Sequence, residues 1–374
     1  MSRHFPFFVI LFVLSQKIDY FAENYITHMR RERHSILTTF LALAMVLTAA
    51  ISAPSASAAK PKEKKTLKVL YWNIQNGMWA GQEENYQQFV DWINAQNPDI
   101  CIFCEAAQIY YNGTKKQMPN EERYLPANWG ELCARWGHDY HKVTPRRPST
   151  SSSTFGLTNY PQAVTSRYPI DSVYIVKGHR PDTVVVNYAG WYQVKIDGVE
   201  KPLNIVTCHL KNGKHGYNVP AERRKESADN YEGEKHRIKE LTCILDHTVR
   251  KTQNVDDELW IMAGDFNSYS RNDNYKYKWN NASNGFLAQD YMIFKSPFFD
   301  LVDRMYPETF MPSCGNLRID YMYVSKTMLN ACANVEAQTD KYTKRVRDEQ
   351  YGTGFYIPSD HYPIIAEFKL SKMK

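Results

Sequence analysis

The sequence predicts an α/β fold in which two packed, mixed β-sheets are flanked by helices. Short apolar strand patterns alternate with amphipathic helix patterns along residues 66–371, as is typical of layered α/β proteins. Polar side chains that can bind metal or transfer protons stand at the strand ends, which predicts one site at one edge of the sheets. A composition of 43% hydrophobic and 23% charged residues excludes a disordered chain.

The first 58 residues are expected to lie outside the folded domain. A basic segment begins at Met29, an apolar run covers residues 36–51, and an A-x-A cleavage pattern ends at Ala58. We interpret this segment as a signal peptide with translation starting at Met29, preceded by an upstream extension. A genuine N-terminal membrane anchor is the alternative. Residues 59–65 read as a charged tether, and residues 66–371 as the single folded domain.

Cleavage of a signal peptide would place the mature protein in the periplasm or outside the cell, in an oxidising compartment. The seven cysteines nevertheless do not look like a disulfide framework, because their number is odd and the chain is long. Cys101, Cys104 and Cys208 lie in apolar strand patterns, so we interpret them as core residues. Zinc at Cys101 and Cys104 is the alternative, although no second Cys or His pair follows at a matching spacing.

Nine segments have strand patterns and two have helix patterns. The predicted strands are 66–74, 99–103, 162–165, 173–176, 190–196, 203–207, 259–263, 319–324 and 364–368. The predicted helices are 83–94 and 231–247, each with apolar residues at helical spacing. Residues 107–160 are polar and turn-rich, and they predict loops.

Eight polar side chains stand at or just beyond the ends of these strands. They are Asn73, Glu105, His209, Asp265, Asn267, Asp320, Asp360 and His361. One of them alone, such as Asp265, would be explained as a turn residue, but their joint placement indicates a shared site. Carboxylate and amide oxygens suit a hard cation such as Mg²⁺, and histidines transfer protons near neutral pH. The set therefore predicts metal-assisted hydrolysis of a phosphate ester by activated water.

Seven sequence blocks occur in the order found in one superfamily. They are Tyr71-Trp-Asn-Ile, Phe103-Cys-Glu-Ala, Ser166-Arg-Tyr-Pro-Ile, Thr207-Cys-His-Leu, Gly264-Asp-Phe-Asn, Arg318-Ile-Asp-Tyr and Ser359-Asp-His-Tyr-Pro-Ile. In this the chain resembles the endonuclease/exonuclease/phosphatase superfamily, which includes deoxyribonuclease I, abasic-site endonucleases, bacterial sphingomyelinases and inositol polyphosphate phosphatases. The resemblance implies a four-layer α/β sandwich with the active site at one edge.

The resemblance also implies a metal site and a phosphate site. Asn73 and Glu105 would bind the metal, and Asp360 would add a further contact. Asp265 and Asn267 would hold the phosphate and the nucleophile, with Asn267 also counted as substrate-binding. Mg²⁺ is the expected cofactor, with Mn²⁺ or Ca²⁺ as alternatives.

Two histidines receive catalytic roles from the same resemblance. His361, oriented by Asp320, would be the general base, and His209 would be the second catalytic histidine. Tyr160 would contact the phosphate. Trp79, in the loop after the first strand, would stack on a base or sugar, or alternatively cover the core.

The chain departs from the family pattern at two positions. Many members carry an Arg-Gly pair in the strand before the His-Leu block, where this chain has Asn187-Tyr-Ala-Gly-Trp, so a substrate contact is lost or replaced. The Gly-Asp-Phe-Asn block continues Ser268-Tyr-Ser-Arg, which disfavours the inositol phosphatase branch.

These observations favour an exported, metal-dependent phosphoesterase that acts on a phosphodiester or phosphomonoester. A non-specific secreted endonuclease for DNA or RNA is the first alternative, and a binding module that retains the fold is the alternative outside enzymes. The net charge of +6 allows an anionic substrate but is weak for a processive nucleic-acid enzyme. We expect a monomer without a membrane span in its mature form.

Overall fold

The computed structural model describes residues 64–74, 85–107, 118–119, 125–145, 160–178, 184–339, 346–347, 356–357 and 359–374. All of them belong to one compact unit, Lys64–Lys374. The predicted signal peptide, Trp79 and parts of the turn-rich region lie outside the described residues.

The unit is built from short strands and helices in alternation. The strands are β1 (Thr66–Asn73), β2 (Ile100–Cys104), β3 (Tyr140–Val143), β4 (Ala163–Ser166), β5 (Ile170–Val176), β6 (Ala189–Val194), β7 (Leu203–His209), β8 (Trp260–Asp265), β9 (Phe299–Asp300), β10 (Asp320–Val324), β11 (Cys332–Ala337), β12 (Val346–Arg347), β13 (Tyr356–Ile357) and β14 (Ile364–Lys369). The helices are α1 (Gln87–Gln96), α2 (Trp129–Arg135), α3 (Arg224–Asp229), α4 (Glu232–His247), α5 (Asn274–Tyr277), α6 (Leu287–Lys295), α7 (Leu301–Met305) and α8 (Lys326–Ala331). Within the described ranges, no helix has the length and apolar character needed to cross a bilayer.

Two six-stranded sheets form the centre of the unit. Their strand orders are β11-β14-β1-β2-β4-β3 and β5-β6-β7-β8-β10-β9, and β12 pairs with β13 separately. β1 runs parallel to β2 and β7 runs parallel to β8, whereas the other pairings within the two sheets are antiparallel. Both sheets are therefore mixed, and the prediction of two packed, mixed sheets is confirmed.

Alternating side chains of the first sheet enter two separate cores. Val69 and Tyr71 point inward, toward the core that the two sheets share. Leu70 and Trp72 point outward and pack with α1 and α2, where Trp72 stacks on Phe89 with ring centroids 5.8 Å apart. This period of two along β1 gives the sheet one helix-covered face and one sheet-covered face.

The second sheet is covered in the same way by α4 and α6. Val206 and Trp260 pack outward with Ile244 of α4 and Met292 of α6. The layers are therefore helices, sheet, sheet and helices, as the four-layer prediction requires. The apolar faces of the central strands are buried by this arrangement.

The three cysteines predicted as core residues, Cys101, Cys104 and Cys208, are buried. Cys101 packs into the outer core beneath α1, whereas Cys104 lies on the opposite face of β2, between the sheets. The two thiols therefore face different cores, which excludes the zinc alternative. All seven cysteines have free thiols.

The structure contains more strands and helices than the sequence predicts, and two of the differences have a clear physical cause. α1 begins at Gln87 rather than 83, because Asn85 and Tyr86 have φ angles of 50° and 59°, which a helix does not accept. The region predicted as loops contains α2 and β3. Its apolar residues Trp129 and Leu132 bury against the first sheet, a tertiary contact that a turn-rich composition conceals.

A buried histidine on the loop before β3 makes the stability depend on pH. His138 is fully buried; its Nε2–H donates to the Pro98 carbonyl oxygen at 3.0 Å, and Nδ1 accepts from the Thr165 hydroxyl at 2.7 Å. Burial lowers the pKa of His138 to about 4, an effect that the Pro98 carbonyl opposes. At pH values between about 4 and the ordinary histidine pKa of 6.5, His138 binds a proton in the unfolded chain but not in the folded chain. The folded state therefore loses stability as the pH falls through this range.

We expect His138→Gln to flatten the pH dependence of unfolding. This histidine should remove about 2 kcal/mol of stability between pH 7 and pH 5 through proton linkage. Urea unfolding at both pH values measures the pH-dependent loss of each protein, and the loss should be smaller in the variant by about this amount. His141→Gln, at an exposed position of β3, is the control and should keep the wild-type slope. Equal slopes in wild type and His138→Gln would contradict the assignment.

Candidate active site

The strand directions bring the predicted side chains to one edge. Asn73 ends β1 and Glu105 directly follows the parallel β2, with Asn73 in register with Cys104. His209 ends β7 and pairs with Asp265 at the end of the parallel β8. β10 runs the opposite way, so its first residue, Asp320, also faces Asp265.

Gly264 allows β7 and β8 to approach closely beside these residues. It pairs with Cys208, and a Cβ on Gly264 would overlap the Cys208 carbonyl oxygen. Only glycine therefore keeps His209 and Asp265 at their present separation.

We expect Gly264→Ala to lower both stability and activity, because the backbone of β7 must move. Overpacking of this kind costs about 1–3 kcal/mol, and a backbone clash lies at the upper end. Urea unfolding with a parallel hydrolysis assay measures both effects. Gly198→Ala is the control: a Cβ at this position would meet no atom within 4 Å, so only its positive φ of 75° opposes the change and activity should remain. An unaltered Gly264→Ala enzyme would show that close approach at this position is not required.

Asn73, Glu105 and Asp265 form a buried polar cluster. The Asn73 amide nitrogen lies 3.3 Å from Glu105 Oε1 and 3.4 Å from Asp265 Oδ2. Glu105 has a φ of 50°, which turns its side chain back toward the strand ends. Its second oxygen, Oε2, is buried and accepts no hydrogen bond from any described residue.

The electrostatics of this cluster favour a bound cation. Burial raises the pKa of Glu105 to about 7, and the charge of Asp360 adds to the rise, whereas His361 and Asn73 oppose it. Burial and the charges of Asp320 and Glu105 also hold the pKa of Asp265 well above its usual range, against His361. A divalent cation would offset this repulsion and bind the orphaned Glu105 oxygen. The donor set of carboxylate and amide oxygens thus fits Mg²⁺, Mn²⁺ or Ca²⁺.

His361 is held in one orientation by a buried chain of hydrogen bonds. Its Nδ1 donates to Asp320 Oδ2 at 2.7 Å, and the Tyr71 hydroxyl donates to Asp320 Oδ1 at 2.6 Å. The His361 backbone is fixed as well, since Trp72 Nε1 donates to its carbonyl oxygen and its N–H donates to Ser359 Oγ. Nε2 is left facing Asp265 Oδ2 at 3.9 Å.

The pKa of His361 follows from this chain. Burial lowers it, but the charge and hydrogen bond of Asp320 outweigh burial, so the pKa of His361 lies well above its ordinary value. An imidazole oriented by a carboxylate and with raised basicity is suited to accept a proton from water.

His209 has a different environment. Its Nε2 lies 3.6 Å from Glu105 Oε1 and 3.8 Å from Asp265 Oδ2, and its buried Nδ1 has no hydrogen-bond partner among the described residues. Burial and the charge of His361 lower the pKa of His209 to about 3. Its ring lies against Tyr160, with centroids 5.8 Å apart. The two histidines therefore have opposite pKa shifts.

Asn187 connects the segment that carries Tyr160 to the end of β7, where His209 lies. Asn187 Nδ2 donates to the His209 carbonyl oxygen at 3.1 Å, and its Oδ1 accepts from the Tyr160 N–H at 2.9 Å. Asn187 stands at the departure from the family's Arg-Gly pair. Its side chain therefore supports the backbone of the site.

Asn267 and Asp360 complete the set of predicted residues. Asn267 has a φ of 48°, and its N–H donates to Asp265 Oδ1 at 2.8 Å. Its side-chain nitrogen donates to the Leu210 carbonyl oxygen, which leaves the side-chain oxygen for a ligand. Asp360 Oδ1 lies 3.9 Å from His361 Nε2 and is buried without a hydrogen-bond partner among the described residues.

The structure brings together all the predicted site residues that it describes, but sequence reasoning missed their supports. Tyr71 and Ser359 each lie in one of the family motifs, and this position could have indicated that they belong to the site. Asn187 stands out in the sequence only as a departure from the family pattern. No sequence signal points to Ser313, whose hydroxyl accepts from the N–H groups of Ile319 and Asp320.

Comparisons with known proteins identify the family of this chain. The model of the Endonuclease/Exonuclease/phosphatase family matches residues 70–361. The protein belongs to this family, because the match spans well over half of the chain. No curated protein gave a significant match.

Solved structures share the fold at low sequence identity. An endonuclease/exonuclease/phosphatase from Beutenbergia cavernae has 16% identity, with 82% of this chain and 72% of that chain covered, and a TM-score of 0.50. The human Nocturnin catalytic domain, solved with a bound sulfate anion, has 15% identity with 82% and 93% covered and a TM-score of 0.50. A family protein from Leptotrichia buccalis has 16% identity with 81% and 99% covered, at the same TM-score of 0.50. The fold is therefore that of the family, and membership supports hydrolysis of a phosphate ester.

Proposed function

We propose that this protein is an exported, metal-dependent phosphoesterase that hydrolyses its substrate by activated water. The observation that carries the proposal is the His361–Asp320 pair, held at 2.7 Å beside Asp265 and opposite the buried Asn73–Glu105 pair. In this proposal, a proton acceptor and a group of residues that would bind a cation share one edge of the sheets. A binding module that only retained the fold would have no need for both.

Asn73, Glu105 and Asp360 would hold the divalent cation, with Mg²⁺ as the expected ion. A bound cation would supply positive charge to the phosphoryl oxygens and so lower the barrier to attack. Asp265 and the side-chain oxygen of Asn267 would hold the phosphate and orient the attacking water.

The two histidines divide the proton transfers between them. His361 accepts the proton of the attacking water, because Asp320 stabilises the imidazolium that forms. His209 donates a proton to the leaving oxygen from the other side of the phosphorus, as an in-line displacement requires. Tyr160, packed on the His209 ring, would contact the phosphate.

The substrate is proposed only as a class, an ester of phosphoric acid. A secreted nuclease for DNA or RNA is the second candidate, which the mildly positive net charge of +6 allows. A hydrolysis screen with Mg²⁺ tests the proposal, using plasmid DNA, RNA, bis-p-nitrophenyl phosphate, sphingomyelin and sugar phosphates. Cleavage that requires Mg²⁺ and is abolished by a chelator is the expected result. Failure on every phosphate ester, under each of the three metals, would refute the proposal.

Export has its own test. We expect the mature protein to be recovered outside the cytoplasm and to begin near Ala59, because the cleavage pattern ends at Ala58. Intact-mass measurement of the protein from the extracytoplasmic fraction determines the N-terminus. Substituting Ala56 and Ala58 with bulky residues should block processing and serves as the control. A chain that keeps residues 1–28 would refute both the late start and the signal peptide.

A further inference from the structure

A cysteine that plays no part in the proposed reaction lies beside His361. Cys314 is half-buried, and its backbone forms an isolated antiparallel bridge with His361. A sulfur, a nitrogen and a carboxylate oxygen from Cys314, His361 and Asp360 all lie within 4.8 Å of one another. This group is distinct from the Glu105, His209 and Asp265 group, which has no sulfur.

The backbone fixes Cys314 in this position. The N–H of Cys314 donates to the Leu317 carbonyl oxygen at 3.0 Å, and the Leu317 N–H donates back at 2.9 Å, closing a tight turn. The neighbouring Ser313 accepts from Tyr362 N–H at 2.6 Å through its carbonyl oxygen. The turn is thereby tied to the segment that carries His361.

The other two donors are arranged as ligands. When the His361 ring is neutral, its Nδ1 carries the proton donated to Asp320, so the lone pair lies on Nε2, which faces the group. A histidine held in this way by a carboxylate is the usual form of a metal-binding histidine. Asp360 Oδ1 lies 3.9 Å from Nε2 and, within the described part of the chain, has no hydrogen-bond partner.

We propose that Cys314, His361 and Asp360 form a site for a thiophilic divalent cation such as Zn²⁺, which inhibits the enzyme. Thiolate, imidazole and carboxylate with one water complete the tetrahedral set that Zn²⁺ adopts, and the thiol proton and the Nε2 proton of a charged His361 ring are released to solvent. Mg²⁺ prefers oxygen ligands and does not compete for the sulfur.

Inhibition follows because the cation occupies the lone pair of His361 that would otherwise accept the proton of water. Asp360 is the one residue that this site shares with the proposed magnesium site. The binding site itself stands on the geometry of the three side chains. Only its inhibitory consequence rests on the proposed function.

Cd²⁺ binding to the purified protein tests the site directly, through the ultraviolet charge-transfer absorption of a cadmium–thiolate bond. Wild type should show this band with one equivalent of Cd²⁺, and Cys314→Ser should lose it. Cys332→Ser is the matched control, because Cys332 is the other half-buried cysteine and lies on β11. Zn²⁺ affinity, measured by competition with a chromophoric chelator, should fall at least about 10- to 100-fold in Cys314→Ser and be unchanged in Cys332→Ser.

The spectroscopic test addresses the binding site, and the kinetic test addresses only its inhibitory role. A band of wild-type strength in Cys314→Ser, or no band in wild type, would overturn the site whether or not any substrate is known. If the Mg²⁺-dependent activity exists, the Zn²⁺ concentration for half inhibition should rise at least about tenfold in Cys314→Ser. Equal inhibition of both proteins would overturn the inhibitory role. Cys314→Ala provides a second variant, and circular dichroism checks that each variant is folded.

Discussion

Glu105→Gln is expected to lose Mg²⁺-dependent hydrolysis almost completely while the fold survives. The change removes one ligand charge and almost no volume, so packing around β2 is preserved. Loss of a supporting residue around a metal already costs about 10- to 100-fold, so loss of a charged ligand should cost more than about 100-fold. Initial rates over a range of Mg²⁺ concentrations measure the effect.

The same variant should behave differently from wild type in the absence of substrate. Burial raises the pKa of Glu105 to about 7, and Asp360 repels its charge, so a neutral amide relieves repulsion in the metal-free protein. A ligand that binds only the folded state stabilises it by about 2.7 kcal/mol at a hundredfold excess over its Kd. Wild type should therefore gain thermal stability from Mg²⁺, whereas Glu105→Gln should gain little.

Glu240→Gln is the matched control. Glu240 is also fully buried, and burial likewise raises its pKa to about 7. Its oxygens accept the N–H groups of Val186 and Lys211, both at 2.8 Å. This variant should lose some stability through those bonds and still respond to Mg²⁺. Turnover like that of wild type in Glu105→Gln at limiting Mg²⁺ would show that Glu105 is not a ligand.

The position of the site could be predicted because strand ends are visible in a sequence. Apolar runs such as the one before Glu105 end abruptly at a polar residue, and parallel neighbours carry their ends to the same edge. His209 and Asp265 were predicted to lie beyond their strands, yet they are the last paired residues of β7 and β8. The two strands continue to these residues because His209 and Asp265 pair with each other, and their residue types give no indication of this pairing.

The supports of the site could not be predicted in the same way. Tyr71 reads as an inward-facing core residue, and although it lies in a family motif, the motif does not show that its hydroxyl donates to Asp320, 249 positions along the chain. The turned backbones of Glu105 and Asn267, with φ angles of 50° and 48°, are likewise set by tertiary contacts. Such contacts join residues far apart in sequence, and periodicity carries no information about them.

The opposite pKa shifts of the two histidines came from the structure alone. Both follow a strand pattern or precede one, and their residue type is the same. Asp320 on Nδ1 makes His361 basic, whereas Nδ1 of His209 is buried without a partner among the described residues. The hydrogen bond from His361 to Asp320 is therefore the main difference between the proposed base and the proposed acid.

His361→Ala and His209→Ala should each slow cleavage of an alkyl phosphodiester by about 10²- to 10⁴-fold, the size of a general acid–base contribution. They should differ on a p-nitrophenyl ester, whose leaving group needs little protonation. His361→Ala should damage both reactions alike, because water must lose its proton in both. His209→Ala should be much less harmful on the p-nitrophenyl ester.

The pKa of His209 makes this comparison decisive. In the substrate-free protein it lies near 3, so His209 has no proton to give at neutral pH. A bound phosphate anion beside Glu105 and Asp265 would stabilise the imidazolium, and His209 would become an acid only when substrate is present. Steady-state rates on both esters, with His247→Ala on the distant end of α4 as control, distinguish this from a neutral hydrogen-bond donor. Equal losses on the two esters for His209→Ala would mean that it binds phosphate or metal and donates no proton.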